Sequence, residues 1–124
     1  MNVVVLRGVL SSAPVARELR SGDVVVNYEV TTPPARDGVG ADSVPVAWFS
    51  PPAGAGAAAM EPGTEVVVVG RVKRRYFRAG GGGTQSRTEV VADKVLPARR
   101  AKAAERAVLD ALAEAEEAFV APAA

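Results

Sequence analysis

Cysteine and histidine are both absent from the 124 residues. Their absence removes disulfides, thiol nucleophiles, the commonest metal ligands and the usual general base. The acidic residues form no cluster with calcium-loop spacing. No cofactor, metal or catalytic constellation is therefore expected, and the chain reads as a non-enzyme. Aromatic residues make up only 5% of the sequence, so its core must be aliphatic. No apolar run approaches the ~20 residues of a membrane span, and Met1–Arg7 lacks the layout of a secretory signal. Together with the missing cysteines, these features predict a soluble, cytoplasmic protein with no membrane partner.

What remains is 48% apolar and rich in valine, in short runs of the kind strands prefer. Asn2–Leu10 reads as a first strand, with Gly8 marking a bulge or bend. Ser11–Asp23 ends in the turn signal Ser21-Gly22-Asp23. Val24–Thr32 alternates, with Val24, Val26, Tyr28 and Val30 on one side. Pro33–Asp42 is a loop, and Ser43–Phe49 is a short third strand. Pro51–Pro62 is Ala/Gly-rich, a loop with room for one or two helical turns at Ala55–Met60. Thr64–Arg78 is the longest strand, Gly80–Gly83 the hairpin loop, and Thr84–Leu96 the last strand. Five strands of this kind suggest a small closed or half-closed barrel. Residues 98–119 change texture to Ala, Glu and Arg, good helix formers. Ala101, Val108, Leu112, Ala115 and Phe119 fall at helical spacing on one face of that helix, which is expected to pack on its own barrel or on a sister subunit ahead of the alternative, recruitment of another protein.

Net charge is only +1, but its distribution is uneven. Arg71, Lys73, Arg74, Arg75 and Arg78 fall within eight residues that contain no acid. Strand parity places Arg71, Lys73, Arg75 and Phe77 on one face, and Val72, Arg74, Tyr76 and Arg78 on the other. Cations two strand residues apart lie about 6–7 Å from one another, near the spacing of phosphates along a single strand. A ring beside them offers a base something to stack on. Charge that only kept a hairpin soluble would mix signs, and this row does not. In the third strand Trp48 shares a face with Val44 and Val46, which assigns it to the core. Phe49, on the other face, is the surface ring.

Over residues 2–96 the chain resembles the bacterial single-stranded DNA-binding protein family. The resemblance lies in Asn2-Val3-Val4-Val5-Leu6-Arg7-Gly8, in Pro14-Val15-Ala16-Arg17 with Ser21-Gly22, and in Asn27 with Val30-Thr31-Thr32. It continues through Pro62-Gly63-Thr64-Glu65-Val66-Val67-Val68-Val69-Gly70-Arg71-Val72, Arg74-Arg75-Tyr76-Phe77 and Arg87-Thr88-Glu89-Val90-Val91-Ala92. The order and spacing of these segments carry more than any one of them. The resemblance implies a mainly β, five-stranded OB-fold barrel over residues 1–97, with a C-terminal α-helical tail over 98–124. It implies sequence-tolerant binding of single-stranded DNA in replication, recombination or repair, in a nucleoid-associated homo-oligomer, tetramer or dimer. The same module is open to RNA. Phe49 and Phe77 fall at the family's stacking aromatics, and Lys73 and Arg75 at its basic positions.

The departures carry expectations too. Ser43 stands where the family commonly has a stacking tryptophan, and Pro34, Ala35 and Arg36 stand where it has another. Two lost platforms would remove ~2–6 kcal/mol per wrapped subunit, with Arg36 returning part through phosphate contact or guanidinium stacking. Affinity below that of a typical family member is expected. The family's acidic, Pro-Phe tail tip is missing: Glu114, Glu116 and Glu117 precede Phe119, and Ala/Pro filler follows. Recruitment of replication or repair partners through such a tip is thus not expected. The competing reading is an OB-fold assembly or protein-interaction subunit whose nucleic-acid binding is weak or lost.

Overall fold

The computed structural model describes residues 1–34 and 40–120. In chain order the elements are β1 (Val4–Leu10), β2 (Val15–Glu18), β3 (Val24–Thr32), β4 (Asp42–Phe49), β5 (Glu65–Arg78), β6 (Thr84–Pro97) and α1 (Ala101–Glu117). They form one sheet in the order β1-β5-β6-β4-β3-β2, and β1 also pairs with β3. That extra pairing closes β1, β5, β6, β4 and β3 into a five-stranded ring. All contacts in it are antiparallel except the parallel β4–β6 pair. The fold is mainly β, the expected OB-type barrel with one C-terminal helix.

Alternation decides what fills the ring. Leu10, Val26, Tyr28, Val30, Val46, Trp48, Val66, Val68, Val90, Ala92 and Val95 form a single buried cluster. Trp48 is core, as its valine neighbours required. Gly8 lies where β1 passes from β5 to β3. A Cβ there would collide with the Thr31 carbonyl and the Val30 side chain, so only glycine lets the strands cross this closely. Asn2, placed by sequence inside the first strand, precedes β1 instead. Its amide still extends the sheet, donating to the Val72 carbonyl at 2.8 Å and accepting from the Val72 N–H at 3.0 Å.

Three expectations need correction. β2, read as part of a turn-bearing stretch, is a four-residue strand on the outer edge of β3. All four of its residues are exposed, so no burial pattern marked it. Residues 55–60 form hydrogen-bonded turns and no helix. Their anchor is the Tyr28 hydroxyl, which donates to the Ala57 carbonyl at 2.6 Å inside the core. Burial pushes that phenol's pKa well above its ordinary value.

The third correction concerns α1. It does pack on its own barrel, chiefly through Ala104, Ala107 and Ala111; of the expected face, Val108 and Ala115 are half-buried, while Ala101, Leu112 and Phe119 are exposed. Ala107 and Ala111 meet Val69, with Val3 and Leu96 beside them. Alanines let the helix axis approach the sheet closely, whereas the bulkier Leu109, Leu112 and Phe119 remain exposed. Side-chain size, not hydrophobicity, chose the contact face. None of the described helices is long and apolar enough to cross a membrane.

Candidate nucleic-acid interface

The site is built on the hairpin that β5 and β6 make with their five-residue loop, 79–83. Residues directly opposite across a ladder share a face. Val72 lies opposite Val90 and Gly70 opposite Ala92, and both partners belong to the core. The intervening residues Arg71, Lys73, Arg75 and Phe77 must therefore point away from the core, as parity predicted. The ladder carries a register shift between Val69 and Gly70, where Val69 faces Lys94 but Gly70 faces Ala92. The extra residue, Asp93, is on β6, so the alternation along β5 runs through unbroken.

Every residue from Arg71 to Arg78 is exposed. The register sets Lys73 opposite Glu89, Arg75 opposite Arg87 and Phe77 opposite Gln85 on the outward face. Phe77 is 44% exposed and Phe49 42%. Phe49 sits beside Val25, one step from the pairing of Trp48 with Val26, and so faces outward too. Immediately after it the chain turns at Ser50, which adopts a φ of 50° and donates its N–H to the Val24 carbonyl at 2.7 Å. On the opposite face of the hairpin, the Arg74 guanidinium lies 6.0 Å from the centroid of the Tyr76 ring.

One member of the cationic row is partly engaged. The Arg75 guanidinium lies 3.6 Å from a carboxylate oxygen of Glu89, itself only 4% exposed. Arg71 and Lys73 have no carboxylate within 4.0 Å among the described residues. Arg36 lies outside the described residues. Ser43, in place of a ring, donates its hydroxyl to Glu29 at 3.0 Å.

Two further cations join this face that sequence reasoning had not assigned. Arg17 of β2 and Arg87 of β6 line one recess of 340 Å³ together with Arg75 and Phe77. In the sheet order, two strands separate β2 from β6. The four side chains can meet only because the sheet curls and brings the hairpin toward β2. Arg87 was within reach of the sequence. A hairpin closing on 79–83 pairs 78 with 84, and counting back puts Arg87 opposite Arg75. Arg17 left no such trace, because β2 itself did not.

No group of three or more metal-ligating side chains exists among the described residues. The outward cations and rings suit a polyanion that carries flat groups. Comparison with curated proteins finds no matching relative. The sequence model of the Single-strand binding protein family, in contrast, matches residues 1–98, the whole ring and the hairpin. The chain belongs to that family, whose members bind single-stranded DNA and are not enzymes.

Proposed function

We propose that single-stranded DNA runs across the outward face of the β5–β6 hairpin and the adjoining β4. There Arg71, Lys73 and Arg75 neutralise phosphates, and Phe49 and Phe77 stack bases. The observation that carries this reading is the common outward direction of the three cations and Phe77, set by the pairing of their neighbours with core residues. Binding of this kind tolerates any sequence, since every base has a π face. Its proper setting is replication, recombination or repair, with the chain self-associated as a dimer or tetramer in the cytoplasmic nucleoid. Arg36, outside the described residues, is a further proposed contact.

The test is titration of fluorescent oligo-dT with the purified chain over a series of salt concentrations, read by anisotropy. Binding that weakens linearly in log–log form with salt is expected, because displaced counterions drive it. Replacing Lys73 and Arg75 together by Ala should flatten the slope by roughly 1.4–2 units, the yield of two lost phosphate contacts. An unchanged slope rejects these residues as phosphate contacts. No binding at low salt favours the assembly-subunit reading instead.

A further inference from the structure

Arg75 and Arg87 stand directly opposite each other on one face, where like charges repel. Two carboxylates offset that repulsion. Glu89 lies 3.6 Å from Arg75, and Glu29 of β3 lies 3.8 Å from Arg87. Arg17 adds a third guanidinium to the same recess and has no carboxylate within 4.0 Å among the described residues. Three cations against two anions leave the recess with one positive charge in excess, and a phenyl ring forms part of its wall. Its 340 Å³ is at the small end of the roughly 300–1,000 Å³ usual for ligand sites. That space suits one nucleotide, not a run of them.

We propose that this recess seats a single nucleotide unit of the bound strand. One phosphodiester lies among the guanidiniums of Arg17, Arg75 and Arg87, and its base lies against Phe77. The proposal rests on the reading above and adds Arg17 and Arg87 to it. It also gives the two carboxylates a role. Glu29 and Glu89 hold Arg87 and Arg75 in the absence of DNA, and the phosphate must take their place. Each ion pair is long, more than 3.5 Å, and Arg75 and Arg87 remain about half exposed, so exchange is open to an incoming anion. Affinity at this seat is then the difference between phosphate and carboxylate for the same guanidiniums, and weakening a carboxylate should strengthen DNA binding.

The experiment measures oligo-dT affinity and salt slope for Arg17→Ala, Arg87→Ala, Glu29→Gln and Lys73→Ala beside the unaltered chain, after circular dichroism has shown each to be folded. Arg17 and Arg87 are exposed, so both substitutions should leave the barrel intact. Arg17→Ala and Arg87→Ala should each weaken binding about threefold to tenfold at low salt and lower the slope by about 0.7–1. Glu29→Gln should tighten binding by about twofold to fivefold, because it frees Arg87 without removing a cation. If Arg17→Ala and Arg87→Ala bind like the unaltered chain while Lys73→Ala is weakened, the seat is wrong and the wider binding face stands. A weaker Glu29→Gln overturns the carboxylate exchange. Failure of the unaltered chain to bind overturns both readings.

Discussion

The two halves of β5 make an instructive pair. Val66–Gly70 is buried and Arg71–Arg78 is exposed, yet the backbone continues as one strand paired to one partner. On the side turned away from the core, Val69 of the first half is covered by α1, through Ala107 and Ala111. Continuing along that same side, Arg71, Lys73, Arg75 and Phe77 have no helix over them. The difference lies in composition, since a helix can desolvate valines at a gain but guanidiniums only at a cost. One strand thus serves as wall of the barrel and, further out, as the proposed ligand surface. Stability should reside in the first half and binding in the second.

The largest expected effect comes from breaking the first half. Val68 is fully buried, and Val68→Ala should cost about 2–3 kcal/mol of stability from lost burial and the cavity left behind. Denaturant unfolding would show this, with oligo-dT affinity unchanged while the chain stays folded. A variant that lost affinity in step with stability would show that the halves are coupled. Phe77→Ala tests the other half, with a loss of ~1–3 kcal/mol in binding for one stacked base and little change in the unfolding midpoint. Equal binding by Phe77→Ala would remove the ring from the interface.

A smaller effect sharpens the contrast by pH. Tyr28 is buried and its pKa is raised, so the folded chain keeps the phenolic proton that the unfolded chain releases. The stability this supports is whole below the unfolded value of about 10 and is lost as pH rises above it, at up to ~1.4 kcal/mol per pH unit. Tyr28→Phe should lower stability at neutral pH by about 1 kcal/mol, through the lost bond to the Ala57 carbonyl. It should also remove that part of the alkaline slope. Urea melts of both chains at pH 8 and pH 11 compare the slopes directly, and parallel slopes would contradict the burial argument.

The ring was legible as a set of valine-rich strands, and alternation writes inside and outside into β3 from Val26 to Val30. Against that pattern Val24 is exposed and Val25 buried, and the run Val66–Val69 of β5 does not alternate. Trp48 and Phe49 could be separated by the same rule, as could the outward row of β5. What escaped lacked such alternation. β2 buries none of its four residues, so neither it nor Arg17 could be placed. The face of α1 escaped for another reason. Hydrophobicity points to Leu112 and Phe119, but close packing on a sheet selects Ala104, Ala107 and Ala111, and distance of approach is not written in a hydropathy pattern. The recess needed tertiary curvature as well, since it joins strands at separated places in the sheet.

The residue out of step on β6, Asp93, divides that strand into two phases. Ahead of it even numbers look inward, as Val90 and Ala92 do, and beyond it odd numbers do, as Val95 does. Insertions in the loop at 79–83 would lengthen the arm and leave every facing intact. A one-residue change between Val90 and Val95 would instead turn Glu89 and Arg87 toward the barrel and Val90 toward solvent. Evolution is free to vary the reach of this arm at its tip, but near its root even a single added or lost codon would exchange the lining for the surface.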